Sequence, residues 1–393
     1  MKKVSNERFM ELEGLRGVAA IAVVIYHALV IFYPAMFYGI GHPLAPVAHG
    51  QFESVVFGTP VGVLMSGVFA VSIFFVLSGF VLSIGFFQTR RIEIVQKLAI
   101  KRYLRLMLPA LASIMIVFVL LSLHLHESKA STELITQSGA SSTLWQFEPN
   151  IFVALNQGLW QIFTTTLDAR HYNPVLWTMQ YEFIGSFLVF GFLLLFGTAK
   201  HRWITYIILV LVFMNTWYMG FVIGMIFADL YAHKRELATR YLNKKVQLIG
   251  WVFLAGGLII GGYPLVDPQG GFYNLLYIKS IPVGANLINY TILGASMVVF
   301  SVLTVPRLSI FFKNPKVSRL GKYTYSLYLT HLPILFVVST SIFVVLVRVV
   351  EYKLATVGAI SMTVPIIAVC AWLFEKYVDA PSIRLSGRFY QWF

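Results

Sequence analysis

The stretch Glu13-Gly14-Leu15-Arg16-Gly17-Val18-Ala19-Ala20-Ile21-Ala22-Val23-Val24-Ile25-Tyr26-His27-Ala28-Leu29-Val30-Ile31-Phe32 sets the reading of this chain. After Arg16 the run is apolar except for Tyr26 and His27, and it is long enough to cross hydrocarbon as one helix, which takes about 20 residues. The rest of the chain repeats the pattern. Of 393 residues, 58% are hydrophobic and 12% charged, where soluble domains carry about 25% charged residues. A mean hydropathy of +0.77 excludes disorder, and too little charge is present to cover a soluble core of this size. The fold class that remains is an all-α, polytopic membrane bundle.

Ten apolar runs read as spans: 15–36, 61–86, 106–123, 175–196, 203–217, 218–232, 246–262, 286–304, 323–347 and 354–375. The fifth and sixth are short and meet at Trp217–Gly220; read as one broken span, they would invert everything downstream. Charge decides the matter. With the N-terminus in the cytoplasm, 25 Lys and Arg fall on the cytoplasmic side, many of them in the 87–105 and 305–322 loops, and five (Lys129, Arg170, Lys279, Arg348, Lys353) outside. That asymmetry is the positive-inside rule, with both termini cytoplasmic. The net charge of +14 is therefore topology, and nucleic acid is not needed to explain it. Glu7, Glu11 and Glu13 interrupt the basic N-terminus, so it does not read as a cleavable signal. Residues 1–393 read as one transmembrane domain with no appended soluble domain. The outer 124–174 segment reads as a Ser/Thr-rich loop (Ser128 to Thr143) followed by an interfacial or re-entrant helix (Ile151 to Leu167). Cys370, the sole cysteine, excludes a disulfide framework and cysteine metal sites and reads as packing. No metal site is expected.

Ionisable side chains within spans are costly and mark function. Arg16 and His27 are 11 residues apart, about 1100° of helix, so they share a face with about 16 Å between them along the axis. Glu13 lies one turn before Arg16. A lone histidine would read as a core residue bonded to a neighbouring helix; the aligned Arg16 favours function. Lys101, Arg102 and Arg105 stand at the entry of the third span, closed by Pro109. Arg102 and Arg105, three apart, present paired guanidiniums suited to phosphate, although flanking charge alone would also place them there. Glu182, inside the fourth span after Leu176-Trp177-Thr178, needs a partner or a proton. It is a candidate for positioning a histidine or binding an acceptor hydroxyl, with a structural pair as the alternative. Ser326, Tyr328 and His331 open the ninth span before Pro333. Ser326 and His331 are about 140° apart, which argues against a direct dyad and makes them lining or framework residues. Asp229 reads as an interfacial charge.

These residues together resemble the membrane-bound acyltransferase-3 family, the bacterial O-acyltransferases of surface polysaccharides. The similarity runs from Glu13 to about Arg384. It rests on the Arg16…His27 element, on Phe74-Phe75-Val76-Leu77-Ser78-Gly79-Phe80, and on Arg102-Tyr103-Leu104-Arg105 with Pro109. Leu176-Trp177-Thr178…Glu182 and Leu320-Gly321-Lys322-Tyr323-Thr324-Tyr325-Ser326-Leu327-Tyr328-Leu329-Thr330-His331 complete it. The chain departs from the family pattern with Glu13 where Asp is frequent and Asp379 where Glu is frequent, both keeping the charge. The resemblance implies a multi-pass protein of the bacterial inner membrane with no bound cofactor and acyl-CoA, usually acetyl-CoA, as co-substrate. Arg102, Arg105 and Arg16 would meet the donor phosphates. His27 would act as base or acyl carrier, with Arg16 and Glu182 as further catalytic residues. The acceptor, a polysaccharide or lipid-linked glycan, would sit near Trp177, Ser326, Tyr328, His331 and Glu182. The competing class is a proton-coupled transporter of a glycan or small metabolite, against which stands the lack of an internal repeat.

Overall fold

The computed structural model describes residues 9–125, 144–165, 171–233, 244–268 and 271–392. The expectations for Lys2, Lys3, Arg8, the Ser128 to Thr143 loop, Arg170, Lys234, Arg235 and Arg240 lie outside these residues. The described chain is helical, with a single isolated bridge, His42 to Ala45. Of its helices, ten are numbered: α1 (Met10–Phe32), α2 (Gly67–Thr89), α3 (Ile92–Ser122), α4 (Trp177–Leu195), α5 (Arg202–Val212), α6 (Tyr218–His233), α7 (Lys244–Gly261), α8 (Val283–Thr304), α9 (Leu320–Ile334) and α10 (Tyr352–Phe374). Among the described residues, eight helical segments are long and apolar enough to cross a membrane, while α5 and α6 are apolar but shorter. The protein is a polytopic helical bundle.

Contacts fix the direction of each leg. Phe9 meets Phe80 while Tyr26 packs against Gly67, so α1 and α2 are antiparallel. Phe75 meets Phe221 and Arg90 meets His233, so α2 and α6 are parallel. Gly17 abuts Leu320 and Gly321, and His27 meets His331, so α1 and α9 run parallel. A parallel course requires an even number of chain reversals between them, which α5 and α6 supply as two separate legs. The α1–α9 approach depends on missing side chains: a Cβ on Gly17 would lie 2.4 Å from Leu320 Cβ, and one on Gly321 2.5 Å from the Glu13 carbonyl. Small residues let helices meet backbone to backbone, as membrane packing favours.

Helices run further than hydropathy suggests. α3 begins at Ile92, so Lys101, Arg102 and Arg105 are helical rather than in a loop. Lys and Arg are good helix formers, and a helix does not stop where hydrocarbon does. α10 continues through a π-turn, Glu375–Asp379, into Ala380–Tyr390. α9 does likewise through Leu335–Ser339 into Thr340–Leu346. Each π-turn lies beside a proline, Pro333 or Pro381, that breaks the i to i−4 ladder. Pro333 frees the Leu329 carbonyl, and Asn173 Nδ2 donates to it at 2.9 Å. Residues 151–164 are re-entrant rather than interfacial: Phe163 reaches Tyr103 of α3, while Asn173 is back beside Ser113, about 15 Å further along α3. Asp229 is no free interfacial charge. It is 7% exposed, bonded by Arg202 Nε at 2.6 Å and Nη2 at 2.9 Å and by the Tyr206 hydroxyl at 3.0 Å, which ties α5 to α6.

Candidate active site

A cavity of about 150 Å³ lies among α1, α2, α3, α4 and α9. Three guanidiniums line it: Arg16 from α1, and Arg102 and Arg105 one turn apart on α3. Arg102 Nη2 donates to Glu182 Oε2 at 2.6 Å, and Ser78 Oγ holds the other carboxylate oxygen at 2.8 Å. The Arg102 and Glu182 side chains are only 15% and 14% exposed, so this is a desolvated pair crossing from α3 to α4 and braced by α2. Arg105 bonds to Asp379 in the π-turn after α10 and stacks over the Tyr325 ring at 5.3 Å. Arg16 has a looser tie, Glu13 at 3.2 Å, with a third of each side chain exposed. Two buried polar atoms in the wall, Arg102 Nε and Thr324 Oγ1, have no protein partner. The cavity thus presents paired guanidiniums with spare donors, which suits a phosphate-bearing ligand.

Its far end is closed by Tyr328, whose hydroxyl donates to the Val175 carbonyl at 2.8 Å and lies 3.1 Å from Thr178 Oγ1. One helical turn beyond Tyr328, His331 Nε2 lies 3.0 Å from His27 Nδ1. The proton positions follow from the neighbours. His331 Nδ1 faces the Leu327 carbonyl at 2.9 Å, and His27 Nδ1 faces the Val23 carbonyl at 2.9 Å. A carbonyl only accepts, so both neutral rings carry hydrogen on Nδ1. His27 Nδ1–H is then shared between the Val23 carbonyl and His331 Nε2, and His27 Nε2 keeps its lone pair. That is the orientation of a general base held by a second residue.

The structure brings Arg16, Arg102, Arg105, Glu182 and Tyr328 into one cavity. His27 and His331 pair outside its lining, behind Tyr328. Glu182 is bonded to Arg102 and Ser78, not to either histidine, so its placement favours the structural-pair reading. Trp177 packs with Tyr181 and Trp217 at ring separations of 5.8 and 5.6 Å and does not line the cavity. Ser326 is fully buried, and its hydroxyl has no partner. Sequence reasoning missed the His27–His331 contact, the bracing role of Ser78 and the Asp379 partner of Arg105. In the sequence Ser78 belongs to the 74–80 element and Asp379 is a retained acidic position, neither marked with a partner, and the histidine contact joins residues 304 positions apart.

A family model described as an acyltransferase domain matches residues 10–375, nearly the whole chain. No curated protein and no solved structure matches it significantly. The match spans the arginine cavity and the histidine pair alike, and the chain belongs to the acyltransferase-3 family of multi-pass membrane acyltransferases.

Proposed function

We propose that the protein takes an acetyl group from cytoplasmic acetyl-CoA, at the Arg16 end of the bundle, and transfers it to a hydroxyl of an exported or cell-surface glycan in the bacterial inner membrane. The observation that carries this reading is the His27–His331 pair standing one turn beyond the closed end of an arginine-lined cavity. The donor phosphates lie against Arg16, Arg102 and Arg105, using the spare Arg102 Nε. The thioester reaches His27 when the Tyr328 side chain turns away from the Val175 carbonyl and opens that end. There His27 Nε2 takes the proton of the acceptor hydroxyl as its oxygen attacks the thioester carbonyl. The C–O ester bond forms, the C–S bond breaks, and the coenzyme leaves as a thiolate that collects the proton from His27. His331 accepts from Nδ1–H throughout and steadies the ring while it carries charge.

The test is His27→Gln in purified full-length protein with labelled acetyl-CoA. Gln keeps polarity and size but cannot take a proton, so acetyl transfer should fall at least about 100-fold. Acetyl-CoA affinity should stay near the parent's, because the ring lies outside the phosphate cavity. Turnover close to the parent's would remove the base from this mechanism.

A further inference from the structure

A second, smaller cavity lies on the other side of the histidine pair from the arginines, and shares no lining residue with the first. Tyr26 from α1 forms one wall, Gly58, Thr59, Gly62 and Ser66 of the α1–α2 connection another, and Gly262 and Tyr263 at the end of α7 a third. Among the described residues no charged side chain lines it. Tyr263 is 2% exposed, and its hydroxyl has no partner in the protein. A buried hydroxyl left unpaired costs stability and points to a ligand or water that completes it. The Tyr263 ring is fixed, stacked on Tyr290 at 4.9 Å and edge-on to Tyr273 at 5.5 Å, so the hydroxyl does not swing away. Tyr26 leads to the chemistry, its ring 4.8 Å from that of His27.

We propose that this pocket is the acceptor subsite, taking the hydroxyl-bearing edge of a neutral sugar; the proposal rests on the acyl-transfer reading above. The lining has what such an edge requires. Aromatic walls pack against C–H groups, Tyr263, Thr59 and Ser66 offer hydroxyls, and no cation is present to favour an anion. The volume, about 30 Å³, admits one hydroxyl-bearing carbon and not a whole ring. The sugar therefore enters edge first, with the hydroxyl to be acylated directed past Tyr26 to His27 Nε2. This moves the acceptor from the Trp177 and Glu182 side to the opposite side of the histidines, so donor and acceptor approach the base from two directions.

Two variants test it. Tyr263→Phe deletes only the unpartnered hydroxyl and keeps the stacking. Gly62→Val fills the pocket: a Cβ at Gly62 meets nothing nearer than the Val56 carbonyl at 3.8 Å, so the added side chain enters open space. Each variant is returned to source cells lacking the gene, and alkali-labile acetyl on the exported polysaccharide is measured. Acetyl-CoA binding to the purified full-length protein is measured in parallel. Tyr263→Phe should lower the ester content about 3- to 10-fold, the scale of one lost hydrogen bond. Gly62→Val should lower it about 10-fold or more, the scale of steric exclusion from a pocket. Both should bind acetyl-CoA with the parent's affinity, since neither residue lines the arginine cavity. Parent-level ester from both variants, as expected if the pocket holds only a water molecule, overturns the proposal. So does a loss of acetyl-CoA affinity that matches the loss of ester, which would make the pocket structural. If the parent itself neither restores ester nor binds acetyl-CoA, the acyl-transfer reading fails instead.

Discussion

The two cavities that flank the histidine pair handle polarity in opposite ways. On the Arg16 side every guanidinium is bonded to a carboxylate, Arg102 to Glu182, Arg105 to Asp379 and Arg16 to Glu13. On the other side the lining is neutral, and the buried Tyr263 hydroxyl is left open. An unpaired charge within a membrane costs far more than an unpaired hydroxyl, so the resting protein neutralises its arginines internally and leaves only spare donors for a ligand. On the proposed reading, a phosphate-bearing donor must share or displace carboxylates to bind, and a neutral acceptor needs only to complete an unfinished hydrogen bond. Charge pairing would then dominate stability on one side, and shape selectivity on the other.

The largest effect should come from breaking the buried pair. Glu182→Leu leaves Arg102 desolvated and uncompensated, and should cost about 3–5 kcal/mol in thermal or denaturant unfolding of the detergent-solubilised protein. The double variant Arg102→Met with Glu182→Leu should recover most of that loss, because two apolar groups replace two charges. It should still bind acetyl-CoA poorly. A Glu182→Leu protein as stable as the parent would show that the pairing contributes nothing and would dissolve the contrast between the two sides.

Next in size is Arg105→Ala, read as acetyl-CoA affinity. Loss of a charge-assisted hydrogen bond to phosphate should cost about 1.5–3 kcal/mol. Lys at this position should recover only part, because it lacks the bidentate fork and the planar stack on Tyr325. The pocket variant Tyr263→Phe should leave this affinity unchanged. If Arg105→Ala binds acetyl-CoA like the parent while Tyr263→Phe does not, the assignment of donor and acceptor sides is reversed.

Much of the fold was legible because bilayer physics writes it along the chain. Apolar run length and the asymmetry of Lys and Arg gave a helical bundle, and the parallel course of α1 and α9 agrees with counting α5 and α6 as separate legs. Helix ends were less legible, since hydropathy marks where hydrocarbon stops and not where the backbone ladder stops. That is why hydropathy places Arg102 and Arg105 in a loop while they lie well inside α3. The Arg16–His27 face came from one helix's own periodicity. Pairings between helices leave no such trace in a single sequence. The angle between Ser326 and His331 excludes a direct dyad and makes His331 a lining or framework residue, but its partner is on α1. The sequence marks Glu182 as a carboxylate in need of a partner and Arg102 as a cation, yet only packing joins them.

The smallest effect belongs to the residue between the two sides. His331 lines neither cavity; on the proposed reading it acts through His27, accepting from Nδ1–H with its own Nδ1 tied to the Leu327 carbonyl. Removing that acceptor leaves His27 Nδ1–H with the Val23 carbonyl, so the ring keeps one anchor and its tautomer. His331→Leu should therefore lower turnover by about 10-fold, near 1.4 kcal/mol of barrier, rather than abolish it. Acetyl-CoA affinity and the KM for acceptor should change little, since neither ligand meets this side chain. His331→Gln supplies a carbonyl oxygen in place of Nε2 and should recover much of the lost turnover. A simple packing role predicts the reverse order, with Leu filling the buried site better than Gln. The ranking of these two variants in kcat, at unchanged KM, therefore separates a positioning residue from a core histidine.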